Sequence, residues 1–531
     1  MSKLNELELL FNQGRISRRQ FFERAALLSV AAGASPMLFP TAAGATTPKR
    51  GGTFKLGLAD ASTTDTTDPA FAPNEFSQVL LYSYCNCLTE VTPDGQLIGE
   101  LAESWEAKPG AREWLFNLRK GVEFHNGKSL DATDVVASIR HHMGEQSKSA
   151  IKNLMESIED IRIVDPHTVA ITLVQGNADF PWFFLDRNAA IMPAAADGTL
   201  DWQAKIGTGP YILESFEPGV SAKLTRNPNY WKQGRGHFDA VELIAINDSA
   251  ARTTALRTGE VHAINRVDLN TIDLLARVSG ITIHETPSTT HYTMPMHVNV
   301  APFDNVDVRL ALKNAIDREE LLEKILRGHG RVGNDHPVAP TNPYFDSSIE
   351  QRVYDPDKAK FHLKKAGYDT LDVTISVSDA AFSGAVDACV LYSEQAAKAG
   401  INLTVDRVPA DAYWDDIWMK KPWCVSYWSG RPTEDWVFSL TYDGSAPWNE
   451  TYWKNERFDM LLREARSEID PSKRREMYGE MQRLLRDDGG AIIPLFTNLI
   501  IATSDQVVNG GKIANNQPFD GGRITERWWF A

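Results

Sequence analysis

Residues Leu101–His141, LAESWEAKPGAREWLFNLRKGVEFHNGKSLDATDVVASIRH, decide the fold. Trp114 to Leu118 alternates apolar with polar side chains at period two, the pattern of a half-buried strand. Asn126-Gly127 supplies the positive φ that a tight turn needs. Asp131 then reads as a helix N-cap, with Asp134 as its acidic capping-box partner three residues on and Leu130 stapled against Val135. A strand, a turn, a second strand and a capped helix therefore follow one another here, in a mixed α/β chain.

Working outward, short strands are expected around Gly52–Leu58, Thr168–Leu173, Tyr211–Phe216 and Val241–Ile246, with a helix over Glu75–Cys87. Val308, Ala311, Leu312, Ala315 and Ile316 make an apolar helix face, and Asp317 caps a following helix that stops at Gly328. Asp355-Pro356 and Asp470-Pro471 each read as an N-cap followed by proline at the first helical position. Met477, Tyr478, Met481, Leu484 and Leu485 form another buried face, and Ala491–Ala502, AIIPLFTNLIIA, is a β-prone run.

The text of 101–141, with Gly207-Thr208-Gly209-Pro210-Tyr211 and Arg226-Asn227-Pro228-Asn229-Tyr230-Trp231, resembles the large solute-binding proteins of ABC importers for peptides, nickel chelates, opines and oligosaccharides. The resemblance runs through most of the chain. It implies an α/β fold of two lobes joined by two crossing strands, near 287–296 and 490–500, that act as a hinge. The implied division is 1–45 as a leader, 46–286 as lobe I with an extra subdomain at about 80–205, 287–490 as lobe II, and 491–531 as the return to lobe I. The partners implied are a small polar or peptide-like ligand and inner-membrane permease subunits, with the binding protein a monomer.

The leader reading rests on Ser17-Arg18-Arg19-Gln20-Phe21-Phe22, a twin-arginine pattern, followed by an Ala-rich stretch and by Ala43-Gly44-Ala45, a small-x-small cleavage signal. Export to the periplasm, with cleavage near Ala45, is expected. The chain has 531 residues and a formal charge of -15; beyond residue 45 remain 50 basic and 67 acidic side chains, a balance of -17 that argues against nucleic acid as a partner. Four cysteines, Cys85, Cys87, Cys389 and Cys424, are too few and scattered for a disulfide framework and read as buried thiols, with a Cys389–Cys424 bridge as the alternative.

Catalysis is not expected. The sequence has no Gly-x-Ser-x-Gly elbow, His-Glu-x-x-His or Walker loop, and calls for no cofactor. His141 and His142 abut, and neighbours on a helix do not share a face. His291 and His297 flank the first crossing, which leaves a metal-chelate carrier as one alternative and a secreted hydrolase as another. A module that docks a chemoreceptor is a third.

Aromatic density points to the ligand. Trp414, Trp418, Trp423, Tyr427, Trp428, Trp436, Trp448, Tyr452 and Trp453 fall close together, mixed with Arg431, Glu434, Asp435 and Asn449. A cleft needs aromatic walls and a few placed charges. In the family that this chain resembles, the segment matching Trp428–Phe438 carries an Asp for the peptide ammonium, and a site before Lys398-Ala399-Gly400 carries an Arg for the carboxylate. Here those positions hold Arg431 and Asp379, so both charges are inverted, and a plain dipeptide in the usual orientation is disfavoured. The expected ligand-binding set is Asn74, Phe76, Tyr292, Asp379, Trp414, Trp428, Arg431, Asp435, Trp448 and Asn449, with no metal ligands; Glu434 is a further acceptor for an ammonium.

Overall fold

The computed structural model describes residues 48–411 and 413–531. The leader expected over 1–45 lies outside them. No described helix is long and apolar enough to cross a membrane.

The spine is a mixed sheet of ten strands. Its path runs Ser426–Trp428, Ile281–Pro295, Leu495–Ser504, Ala263–Asn265, Thr53–Leu58, Ala240–Ala245, Ser221–Arg226 and Tyr211–Glu217, with Gly330–Val332 and Ala491–Ile492 paired at its side. Thr53–Leu58 is parallel to both neighbours, with Phe54 opposite Val241 and Leu56 opposite Ala263. Both of its faces are covered, and Phe54, Leu56 and Leu58 are fully buried.

The two expected crossings lie side by side. Strand Ile281–Pro295 pairs antiparallel with Leu495–Ser504, Pro287 opposite Asn498 and His291 opposite Phe496, then with Ala491–Ile492. The Ala491–Ala502 run is not one strand: Ile493-Pro494 separates two pieces, since Pro494 has no N–H to give the ladder. The apolar core divides along the chain. One cluster draws only on 294–495, another joins 54–263 to 501–528, and a third lies within 88–191.

The opening motif folds as its residues dictate. Ala102–Ala107 and Glu113–Leu118 belong to a four-stranded antiparallel sheet with Thr168–Leu173 and Ile158–Asp165. Asp131 accepts from the Thr133 N–H at 2.8 Å and Asp134 accepts the Asp131 N–H at 3.0 Å, while Leu130 and Val135 share one core. Both Asp-Pro starts cap helices, Pro356–Lys365 and Pro471–Asp487. The helix expected to reach Cys87 ends at Tyr84, because Cys85 turns extended and Asn86 bridges to Ile191. All four cysteines are buried free thiols, so the alternative Cys389–Cys424 bridge is not formed.

A buried ionic knot joins residues 90, 100 and 232 to the C-terminal segment at 523–526. Lys232 Nζ donates to Glu90, Glu100 and Glu526 at 2.5, 2.6 and 3.0 Å, and Arg523 grips both oxygens of Glu100 at 2.7 Å. The three carboxylates are close enough to hold a metal ion, but the ammonium of Lys232 already fills that role. Burial alone would depress the Lys232 pKa; Glu100, Glu526 and Glu90 reverse this and raise it.

Candidate functional site

A cleft of about 490 Å³ is lined by residues from an earlier stretch of the chain, 60–266, from a later one, 427–448, and from 516–517. Asn74, Gln78, Asp186 and Arg187 line it from the earlier stretch, Tyr427, Arg431, Trp436 and Trp448 from the later one, and Asn516 and Gln517 from near the C-terminal end of the described residues. It is polar at its walls and aromatic on one side, as organic-solute sites are.

Charge in the cleft falls into two groups. Arg266 is saturated by Asp60 and by Glu75, the latter at 3.0 Å. Arg187 and Arg431 make no ion pair among the described residues. Arg187 donates Nε to the Ala72 carbonyl at 2.6 Å, which aims the rest of its guanidinium. Arg431 spends Nη1 on Ser429 O, Ser429 Oγ and Gly430 O at 3.0, 3.1 and 3.2 Å, and its Nε is buried without a partner. Burial lowers the Arg431 pKa, with Asp186 opposing the effect and Arg187 adding to it. Two guanidinium groups that share one carboxylate neighbour, Asp186, are an unbalanced positive pole.

The aromatic wall is held from behind by an acid. Glu450, 1% exposed, accepts the indole N–H of Trp418 at 2.7 Å, that of Trp428 at 3.0 Å and the Thr293 hydroxyl at 2.8 Å. Burial raises its pKa, and these donors pull the other way. The indoles are thereby fixed edge-in. Trp428 packs against Trp448 with ring centroids 6.0 Å apart, and Trp414 lies edge-on to Tyr427 at 5.7 Å.

The ten expected residues sort by this geometry. Asn74, Arg431 and Trp448 line the cleft. Asn74 also caps the helix Glu75–Tyr84 by accepting from Ser77 N–H and donates to Asp65 at 2.7 Å. Trp428 and Trp414 stand behind and beside the lining, the first 7% and the second 39% exposed. Tyr292 is stacked flat on Phe382 at 3.7 Å beside the lining residue Tyr427, with which it pairs. The remaining four sit elsewhere. Phe76 is a fully buried core residue beside Phe216. Asp435 is buried against Arg466 at 3.0 Å, and Asn449 spends its amide on Trp453 O at 2.6 Å. Asp379 is exposed and, among the described residues, accepts only the Val386 N–H, at 3.2 Å. Glu434, which the sequence offered as an ammonium acceptor, is buried and accepts the Tyr344 N–H at 2.7 Å.

Sequence reading missed Arg187, Gln78, Asn516 and Glu450. Asp186-Arg187-Asn188, a polar triplet straight after the aromatic run Phe180–Leu185, was the one available signal. His291 and His297 are buried and do not line the cleft; burial lowers both pKa values, that of His291 to about 4. His141 and His142 serve different partners, Asp68 and Ser149.

Glu434 gives a pH test. Burial pushes its carboxyl up to about 7, the Tyr344 amide opposing. A folded pKa raised above the unfolded value contributes stability that is complete at low pH and lost as pH rises through about 7. Glu434→Gln is therefore expected to gain melting temperature relative to the wild type across that interval. Parallel melting curves at every pH would contradict it.

A family model, bacterial extracellular solute-binding proteins, family 5 Middle, matches residues 96–450. The chain belongs to this family of ABC-importer binding proteins. It is 27% identical over 468 residues to the glutathione-binding protein GsiB of Salmonella choleraesuis (strain SC-B67), covering 85% of this chain and 91% of that one. Its fold is similar to that of HbpA2 from Haemophilus parasuis, with TM-score 0.80, 20% identity, and 90% and 100% of the two chains covered. It is also similar to the periplasmic binding protein AgaA in complex with agropinic acid, from A. tumefaciens R10, with TM-score 0.73, 22% identity, and 90% and 99% covered. The fold is thus the two-lobed periplasmic binding protein fold of the large peptide-binding type, with paired crossing strands.

Proposed function

We propose that this protein captures a small carboxylated, peptide-like solute in the periplasm and delivers it to an inner-membrane permease as a monomer without catalytic activity. The observation that carries the reading is the pair Arg187 and Arg431, two guanidinium groups in one cleft with no carboxylate bound to either among the described residues. A ligand carboxylate supplies what the protein withholds, and planar guanidinium forks suit it. The names of the relatives, a glutathione binder and an agropinic acid complex, agree with an acid as cargo. The proposed lobes are 46–286 with 491–531, and 287–490, reached after export through the twin-arginine leader.

In this reading the ligand bridges the lobes and shifts an open-to-closed equilibrium. At a hundredfold excess over Kd it raises stability by about 2.7 kcal/mol. A thermal-shift screen of peptides and organic acids, followed by small-angle scattering with the best binder, tests this. The radius of gyration is expected to fall; an unchanged radius at saturation removes the hinge.

A further inference from the structure

A buried ion pair outside the cleft joins two apolar cores. Asp179 opens the short helix Phe180–Leu185, whose Phe180 and Phe184 pack into the cluster within 88–191, while Phe438, Phe458 and Tyr478 belong to another cluster that spans 338–496. Between the two, Arg474 of the helix Pro471–Asp487 grips both oxygens of Asp179 at 2.7 Å, with Asp179 4% and Arg474 5% exposed. The guanidinium lies over the Tyr344 and Tyr478 rings at 4.9 and 5.4 Å and donates to their hydroxyls at 3.3 and 3.2 Å, which fixes the direction of its fork. Beside the pair, the Ala178 N–H donates to the Arg466 carbonyl at 2.7 Å, and Phe183 meets Trp436 edge-on at 5.3 Å. These contacts make a polar seam, of the kind found where domains move against one another, rather than a shared core. The seam borders the cleft. Asp186 and Arg187 follow the short helix directly and line the cleft, as Trp436 does, whereas Asp179 and Arg474 are not among the lining residues.

Resting on the two-lobe hinge reading above, we propose that Asp179 and Arg474 are a positioning pair that fixes the closed arrangement of the lobes and so sets affinity for the solute without touching it. Asp179 falls in the proposed first lobe and Arg474 in the proposed second. When the seam parts, water replaces each partner, so the pair itself costs little to open. When the seam shuts, a two-point contact is satisfied in one register only, which fixes where Arg187 stands relative to Arg431. Removing one partner acts differently. The other charge is then buried and uncompensated only while the seam is shut, so the closed state alone bears the penalty. Burial raises the carboxyl pKa of Glu434 and of Asp435, and the charge of Asp179 adds to both, so an Asp179 without its arginine stands beside two further acids.

Small-angle scattering of the mature, solute-free protein tests this. Arg474→Met is expected to raise the radius of gyration with circular dichroism unchanged, because the Asp179 charge then favours the parted seam. Asp179→Asn, the milder change, should do the same by stranding Arg474. The double variant Asp179→Leu/Arg474→Met removes both charges, nearly keeps their shapes and is expected to return the radius to the wild-type value. In calorimetric titration with glutathione and with succinate, Arg474→Met should bind roughly tenfold or more weakly than the wild type, because the binding-competent fraction falls. The double variant should recover that affinity. Folded single variants that melt lower but keep the wild-type radius would make the pair structural and overturn the proposal. In that event, contraction of the wild type on adding glutathione or succinate keeps the hinge reading, and no contraction removes the hinge as well. If the wild type binds neither probe, the anion reading falls, and the solute-free radii still decide for or against the pair.

Discussion

Lys232→Met is expected to cost about 3 to 5 kcal/mol of folding stability, the scale for removing one partner of a buried ion pair and leaving the other uncompensated. Glu90, Glu100 and Glu526 are 4%, 0% and 0% exposed, and all three converge on Nζ of Lys232. Without it, Arg523 alone faces three carboxylates, and its best geometry is already given to Glu100. Burial would raise the Glu526 pKa on its own, and Lys232 and then Arg523 overturn this and lower it, so the lysine keeps that acid ionised. Denaturant unfolding followed by circular dichroism reads the loss. The double variant Lys232→Met/Glu90→Gln should recover part of it by removing one stranded charge. A single variant as stable as the wild type would mean that the knot is solvated, contrary to the burial of its carboxylates.

Arg431→Ala is the larger test of function. Loss of a charge-assisted contact to a ligand carboxylate is expected to weaken binding by about 2 kcal/mol, roughly thirtyfold, with the melting temperature of the free protein held or raised. The unliganded protein gains from the change because a desolvated cation with no ion-pair partner is removed. Arg431→Lys should restore only part of the affinity, since an ammonium cannot reproduce a two-point guanidinium contact. Titration with the best binder of the solute screen, beside melting of the free variants, separates the outcomes. Normal affinity with a lower melting temperature would make Arg431 a structural residue that only tethers the Ser429-Gly430 loop.

Much of the framework was legible because it is local. Asp131 and Asp134 cap their helix through contacts two or three residues away, and the Asp-Pro starts at 355 and 470 work the same way. Such signals survive without knowledge of the rest of the chain. The second crossing was also readable, as the β-prone run Ala491–Ala502, whereas the first came only from the family resemblance. Their pairing partners were not, because register between residues such as Pro287 and Asn498 is set by packing across the sheet.

The sequence by itself determined the family, the run of elements and the presence of an aromatic, charge-bearing segment around Trp428. Tertiary structure alone decided which charges are free. Asp435, Asn449 and Glu434 read as ligand contacts in the sequence, yet Arg466, the Trp453 carbonyl and the Tyr344 amide consume them. Arg187 was not singled out in the sequence, and the fold places it in the cleft lining with no ion pair among the described residues. The physical reason is that the partner of a polar group is chosen in space. Residues 187 and 431 meet only after the chain has folded back through its crossing strands, and spacing along the sequence carries no record of that distance.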